Sequence, residues 1–330
     1  MPLHTPSGLI TLGVKRVSSS HPKYIMKTNH VIWILGLFTA FVAHECRADL
    51  NGSDDFNDNS KDPARWGADF TAGVGLLSET NGRLEFTTSG ATTSLDMAAR
   101  PWILNFGSYT QNWETHIDVN VPQLPRPETR FGLIIASGTN SFSANNLRLD
   151  FVQTTNKHYI TANLAVNGSK ISVGTDKPTT STLVALRIAF DANTQVLSAF
   201  YDEDGPTCGY SWTLLGSTNV PVEWNMTSTS VFGVWLFGYS AAALGSTNNV
   251  FGDNFYASTG PTPTLGISVA GGKAVLAWSS NAPSCWLEVA STLTPPICWQ
   301  VVSHAPGIVG TNFTVTNAVS SDEGFYRLSR

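Results

Sequence analysis

Three titratable side chains alternate along one short segment, Glu114-x-His116-x-Asp118. Because side chains two residues apart lie on the same side of a β-strand, the three would share one face. Two carboxylates that flank one glycosidic bond can act as acid and nucleophile, so this face could host hydrolase or lyase chemistry. The alternative, which we favour, is the polar, solvent-facing side of a half-buried strand.

A second set of polar residues lies on two later segments with the same alternation. Arg148 and Asp150 flank Leu149, and Tyr159 and Asn163 lie at polar positions of the next segment. These four polar residues are the candidate ligand-binding residues. The alternative for Arg148 and Asp150 is a surface ion pair, worth at most about 1 kcal/mol.

Aromatic residues are the other indication of binding, because sugars stack their apolar faces on Trp and Tyr rings. Residues 231–239 are aromatic on both sides of a predicted strand. We expect most of these rings in the core, since aromatic residues dominate sandwich interiors. Trp212 and Trp224, near predicted loops, are the candidates for exposed rings.

Other catalytic and metal signatures are absent from the sequence. It contains no G-x-S-x-G, H-E-x-x-H, G-x-G-x-x-G or phosphate-loop motif. His116, His158 and His304 form no spaced pair with cysteines or acids, which argues against a zinc site.

A series of strands must position these residues. Across residues 112–201 apolar and polar positions alternate with a period of two, and no helical period is present. Turn residues such as Asn167-Gly168 and Asp204-Gly205 separate the segments. A single open sheet of so many strands would curl or split, so the pattern predicts an all-β fold of two packed antiparallel sheets.

Several short motifs resemble a known family. They are Asp54-Asp55-Phe56-Asn57, Gly132-Leu-Ile-Ile135, Leu186-Arg-Ile188, Leu197-Ser-Ala-Phe-Tyr-Asp202 and Phe251-Gly-Asp-Asn-Phe-Tyr256. Together they resemble the concanavalin A-like lectin/glucanase superfamily in its laminin-G-like form, over about residues 52–258. The resemblance implies a jelly-roll sandwich whose first and last strands pair, and often a carbohydrate ligand. Such motifs specify the fold better than the function.

The resemblance also bears on catalysis and metal binding. Glycosidases of this superfamily carry an E-x-D-x-E pattern, which the triad described above does not match, so a non-catalytic protein is expected. A structural calcium ion would use Asp54, Asp55 and Asp253, which should lie near one another. The alternative is that these side chains cap strand ends, because calcium takes six to eight oxygen ligands. No other cofactor is expected.

The N-terminal segment predicts export. The apolar run of residues 31–43 follows a lysine and precedes the small residue Ala48, which is typical of a secretory signal peptide. The run is shorter than the about 20 residues of a membrane-spanning helix. We expect residues 1–48 to be leader and signal peptide, with Met26 as an alternative start to Met1. The product would be secreted or held in the cell envelope, without a transmembrane segment.

The charge balance narrows the class of partner. Five of the 19 basic residues and one of the 24 acidic residues precede Asp49, which leaves 14 basic and 23 acidic residues. An acidic surface argues against nucleic acid. A polysaccharide or cell-surface glycan is the expected partner.

A second, smaller β domain is predicted after the sandwich. Proline and threonine at residues 259–264 indicate a linker between residues 49–258 and residues 265–330. The smaller domain is similar to fibronectin type III modules that close many bacterial exported proteins. Cys285 and Cys298 flank a turn-rich segment, and both a disulfide between them and a strand register that keeps them apart stay open.

The sequence therefore favours a secreted or cell-surface lectin-like protein that binds glycan without catalysis. Two alternatives remain: a divergent polysaccharide hydrolase or lyase, and a structural or adhesion component of the envelope.

Overall fold

The computed structural model describes residues 52–89, 96–103, 107–122, 128–138, 144–259, 264–280, 285–294, 297–318 and 324–329. The predicted signal peptide and most of the predicted linker lie outside these ranges. Within them the regular structure consists of β-strands and three short 3₁₀ turns. No helix in the described ranges is long and apolar enough to cross a membrane.

Sixteen strands form two stacked sheets. In chain order they are β1 (Ser53–Asp54), β2 (Phe70–Ala72), β3 (Gly75–Thr80), β4 (Arg83–Thr88), β5 (Asp96–Trp102), β6 (Trp113–Asn120), β7 (Thr129–Ser137), β8 (Asn146–Gln153), β9 (His158–Val166), β10 (Ser169–Ser172), β11 (Lys177–Pro178), β12 (Leu183–Asp191), β13 (Val196–Asp202), β14 (Thr213–Asn219), β15 (Phe232–Ser240) and β16 (Phe251–Thr259). The first sheet has the order β14-β13-β12-β6-β16-β4-β3, with β1 paired to β16. The second has the order β10-β9-β8-β7-β15-β5-β2, with β11 paired to β9. This is the predicted antiparallel jelly-roll sandwich, and the β1–β16 pair confirms that its first and last strands meet.

The alternation of apolar residues places the core between the two sheets. Ile117 of β6, Leu164 of β9 and Ile188 of β12 are all buried in one hydrophobic cluster that draws on both sheets. Their neighbours along each strand point to the outside, as the period of two requires. Each sheet therefore has an outer face, and the candidate functional residues lie on these two faces.

β14 begins at Thr213, after residues that fold over the first sheet. One sequence prediction in this domain is wrong. Trp224 is buried rather than exposed, and its indole Nε1 donates a hydrogen bond to the carbonyl of Ala165 at 3.1 Å. The carbonyl belongs to β9, far from Trp224 in the sequence, so the local sequence does not indicate this contact.

Seven further strands form two small sheets in the C-terminal part of the chain. They are β17 (Gly266–Ala270), β18 (Lys273–Ser279), β19 (Trp286–Ala290), β20 (Gln300–Val301), β21 (Gly307–Val309), β22 (Asn312–Ala318) and β23 (Phe325–Ser329). The sheet orders are β17-β18-β22-β21 and β20-β19-β23. Strands of both small sheets contribute to one hydrophobic cluster, so this part is β-sandwich-like, as predicted.

Of the two arrangements left open for Cys285 and Cys298, the structure shows the one that keeps them apart. Cys285 is buried in the cluster that both small sheets share and takes no part in a disulfide. Cys298 is disulfide-bonded. Its neighbour Trp299 packs in a separate hydrophobic cluster with Ala290 and Phe325, and this packing holds the two cysteines in different surroundings.

Candidate functional site

The predicted catalytic triad lies on the outer face of the first sheet. Glu114, His116 and Asp118 follow one another on β6, opposite the core residue Ile117. Glu114 keeps partial exposure, whereas His116 and Asp118 are buried. The expectation of a solvent-facing polar strand is therefore wrong for two of the three side chains.

A short segment covers this face. Residues 209–212, which we call the strap, follow the 3₁₀ turn Gly205–Cys208 and lead into β14. The Tyr210 hydroxyl donates a hydrogen bond to Asp118 Oδ2 at 3.2 Å, and the Ser211 amide donates to Asp202 Oδ2. Asp118 and Asp202 flank Ala185 in one row across the sheet. Alanine leaves room there for the strap.

Aromatic rings surround His116. Its ring centroid lies 4.8 Å from that of Tyr210, 4.9 Å from that of Tyr256 and 5.6 Å from that of Trp212. Burial, assisted by the positive charge of Arg187, lowers the pKa of His116 to about 3. The imidazole is therefore neutral at physiological pH and serves as part of an aromatic cluster.

Asp118 is a buried acid. Burial raises its pKa to about 7, with a further rise from Asp253, although Asn254 and Tyr210 donate hydrogen bonds to its Oδ2. Its Oδ1 has no hydrogen-bond partner in the described residues. The carboxyl group thus changes charge near neutral pH while it is sealed under the strap.

Glu114 is already paired within the protein. It forms an ion pair with Arg187, whose guanidinium carbon lies 4.9 Å from the Phe200 ring centroid and 5.6 Å from the Trp212 ring centroid. The triad therefore makes contacts that hold the strap to the sheet. No two of its members form an acid–base pair that is open to solvent.

The four predicted ligand-binding residues lie together on the outer face of the second sheet. Arg148 and Asp150 belong to β8, and Tyr159 and Asn163 belong to the adjacent β9. Arg148 pairs directly with Asn163 across the two strands. β7 pairs with β8, and β15 pairs with β7, so the same face continues across these two strands. We call this surface the second-sheet face; its outward side chains are Tyr159, Thr161, Asn163, Arg148, Asp150, Arg130, Ile134, Trp235, Phe237 and Tyr239.

An apolar cluster outside the main core lies in the middle of this face. Trp235 and Phe237 of β15 pack with Ile134, and Tyr239 and Met97 pack against them. The residues of β15 that alternate with these rings face the main core between the sheets. The sequence shows aromatic residues on both sides of this strand but does not show which side faces outward. The sheet order shows that the outward rings lie beside the predicted polar residues.

Asp150 is paired with Arg130 rather than with Arg148. Arg130 Nη1 lies 3.2 Å from Asp150 Oδ2, and its Nε donates to Glu128 at 2.5 Å. Asp150 is fully buried. Burial raises its pKa, and the positive charges of Arg130 and Arg148 oppose the rise. The predicted surface ion pair is thus wrong, because the partner comes from β7.

Several other polar groups of the second-sheet face are partly open to solvent, whereas Thr161 is buried. Arg148, Asn163 and the two tyrosines, Tyr159 and Tyr239, are all half-buried. The Arg148 guanidinium carbon lies 5.4 Å from the Phe237 ring centroid. The face therefore combines rings, hydroxyl groups, an amide and a guanidinium on neighbouring strands.

The predicted calcium ligands make other contacts. Asp54 accepts hydrogen bonds from the Phe56 amide at 2.8 Å and from Trp66 Nε1 at 2.6 Å. Asp55 accepts one from the Asn57 amide, and Asp253 accepts one from the amide that follows it. No group of three or more His, Cys, Asp or Glu side chains in the described ranges is arranged to hold a metal ion. Calcium binding stays a prediction.

Comparisons with known proteins give distant similarities only. No family model matches the sequence, and no curated protein matches it. Among solved structures, the GH43 protein BlXynB of Bacillus licheniformis is 12% identical over 65% of this chain and 40% of its own, with a TM-score of 0.44. A bifunctional GH43-CE protein of Bacteroides eggerthii is 16% identical over 69% of this chain and 29% of its own, with a TM-score of 0.45.

Lectin I-B4 of Griffonia simplicifolia, in its metal-free form, is 15% identical over 63% of this chain and 99% of its own, with a TM-score of 0.42. The chain thus spans less than half the length of the two GH43 proteins. These similarities are too distant to indicate a function for this chain. Its own strand pairing establishes an antiparallel jelly-roll β-sandwich.

Proposed function

We propose that this protein is a secreted or cell-surface lectin-like protein that binds glycan through the second-sheet face. One observation carries the proposal: on the outside of a sheet, the half-buried rings of Tyr159 and Tyr239 and half-buried polar side chains border a buried apolar cluster that is separate from the core. Outer faces of antiparallel sheets are ordinarily polar. A patch that combines rings with hydrogen-bonding groups suits sugars, which present both apolar C–H faces and hydroxyl groups.

The size of the face fits an oligosaccharide. Tyr159 on β9 and Tyr239 on β15 lie in one row, three strand spacings apart. At about 4.8 Å per spacing the two rings are about 14 Å apart, which is the length of a few sugar rings. A rigid sheet holds these groups in place, so little order has to be gained on binding.

Hydrolase or lyase activity at Glu114, His116 and Asp118 is not part of this proposal. The strap covers His116 and Asp118, and Glu114 is held by Arg187. We propose instead that this side of the sandwich is structural, and that the C-terminal β unit attaches or spaces the binding domain.

Binding of the full chain to a panel of neutral and acidic polysaccharides tests the proposal. We expect Tyr159→Ala to raise the dissociation constant about tenfold, because one stacking ring is lost. Tyr159→Phe should keep most of the affinity. Leu214→Ala, at an exposed position of the other sheet, is the control and should leave binding unchanged. The proposal fails if no polysaccharide binds, or if Tyr159→Ala and Leu214→Ala behave alike.

A further inference from the structure

The charged groups of the second-sheet face are unequally engaged. Arg130 pairs with both neighbouring acids, Glu128 and Asp150, so its one positive charge is shared by two carboxylates. The Arg148 guanidinium, by contrast, forms no hydrogen bond or ion pair with any residue in the described part of the chain. One arginine of the face is therefore uncommitted.

The surroundings of Arg148 hold its guanidinium in place. Gly132 of β7 lies between Asp150 and Phe237 in the row next to Arg148. Since glycine has no side chain, the guanidinium can reach toward the Phe237 ring, which is 5.4 Å away. A cation beside an aromatic ring keeps its outer N–H groups available for an anion.

The local charge favours an anion although the whole chain is acidic. Lys170 of the edge strand β10 is exposed, and its strand partner Ala165 lies on the same side of β9 as Asn163. Among these five groups, Arg130, Arg148 and Lys170 carry three positive charges against the two carboxylates of Glu128 and Asp150, which leaves one positive charge in excess. Two N–H groups of one guanidinium can donate hydrogen bonds to the two oxygens of one carboxylate.

We propose that the glycan recognised by this face carries carboxylate groups, that is, a polyuronide, and that Arg148 binds the carboxylate. This inference rests on the proposed function and adds to it the chemical class of the ligand. Asn163 stands beside Arg148 and can donate hydrogen bonds to the same sugar or accept them from it, and the half-buried Tyr239 supplies its apolar contact.

The test compares polygalacturonate with its fully methyl-esterified form, which has the same backbone without the charge. We expect the full chain to bind the acid about tenfold more tightly, and the preference to fall as salt is added. Arg148→Gln should reduce the preference to about threefold or less. Arg83→Gln is the matched control, because Arg83 lies over the Phe251 ring at 4.1 Å but on the first sheet, and it should keep the preference.

Each outcome separates the two proposals. Equal binding of the acid and the ester overturns the polyuronide inference and leaves glycan binding intact. If Arg148→Gln leaves the preference for the acid unchanged, Arg148 does not bind the carboxylate. If the chain binds dextran sulfate but not polygalacturonate, the ligand group is not a carboxylate. If no glycan of any kind binds, the proposed function itself fails.

Discussion

At the scale of single residues, burial decides which of the titratable groups can act. His116 and Asp118 have the types and spacing of a catalytic pair, yet the strap removes both from solvent. Burial favours the neutral form of each, so the pKa of the histidine falls while the pKa of the acid rises. The two groups therefore have opposite effects on stability as the pH changes.

The pH dependence of stability tests the state of Asp118. Its folded pKa, about 7, lies above the ordinary value of 3.8. The folded state consequently holds the proton more tightly than the unfolded state, and this group lowers stability as the pH rises from about 4 to 7. Asp118→Asn should remove a loss of about 3 kcal/mol in the free energy of unfolding between pH 5 and pH 8. Urea unfolding at both pH values measures it.

Asp176→Asn, at an exposed position, is the control for this experiment. Its free energy of unfolding should follow that of the unaltered protein at both pH values. Parallel curves for Asp118→Asn and the unaltered protein would show that Asp118 is charged and solvated in the folded state, contrary to its position under the strap.

At the scale of strands, the period of two predicted most of the sandwich. β6 to β12 all lie within the alternating region of residues 112–201, and the alternating residues around Ile117 and Ile188 face the core. The four candidate ligand-binding residues came from the same alternation, and the structure places them on one face. Local patterns sufficed because a sheet face is defined by every second residue of adjacent strands.

Features that depend on register or on a covering segment could not be predicted. Asp150 pairs with Arg130 because β7 lies beside β8, and nothing near Asp150 in the sequence indicates this neighbour. Residues 210–212 alternate like a strand, but they leave the sheet to cover His116. The sequence pattern shows which sides of a strand differ, whereas the three-dimensional neighbours decide what covers each side.

Gly132 connects strand geometry to the second-sheet face. A Cβ atom at this position would lie 2.2 Å from the Leu149 carbonyl oxygen and 3.0 Å from Asp150 Cα. Both are backbone atoms of β8, so Gly132→Ala should force β7 and β8 apart and lower the free energy of unfolding by about 1–3 kcal/mol. Urea unfolding checks this loss.

Gly266→Ala is the comparison, because its Cβ would lie 3.5 Å from the nearest atom, the Ala277 carbonyl oxygen. We expect a change within about 0.5 kcal/mol there. Equal losses at the two glycines would mean that the cost arises from replacing any strand glycine and not from the close approach of β7 to β8.

At the scale of the whole molecule, the strap lies between the sandwich and the C-terminal strands. Gly209 has a positive φ of 70°. A Cβ atom at this position would lie 3.1 Å from Trp299 Cβ and 3.2 Å from Arg327 Nη2. Arg327 in turn lies over the Trp299 ring at 4.2 Å and pairs with Glu288 at 2.7 Å. The strap thus contacts Asp118 on one side and the C-terminal unit on the other.

This arrangement predicts that the C-terminal unit keeps the strap closed. Trp299→Ala removes the ring beneath Arg327, the side chain that lies beside Gly209, so the strap should open more often and the Ser211 amide, which donates to Asp202, should exchange its hydrogen about tenfold faster. Val301→Ala, at an exposed position two residues further on, should leave that rate unchanged. Hydrogen exchange of the full chain measures both variants, with the amides of β9 as an internal reference. Unchanged Ser211 exchange in Trp299→Ala would mean that the hydrogen bonds from Tyr210 and Ser211 suffice, and that the two parts of the chain touch without stabilising each other.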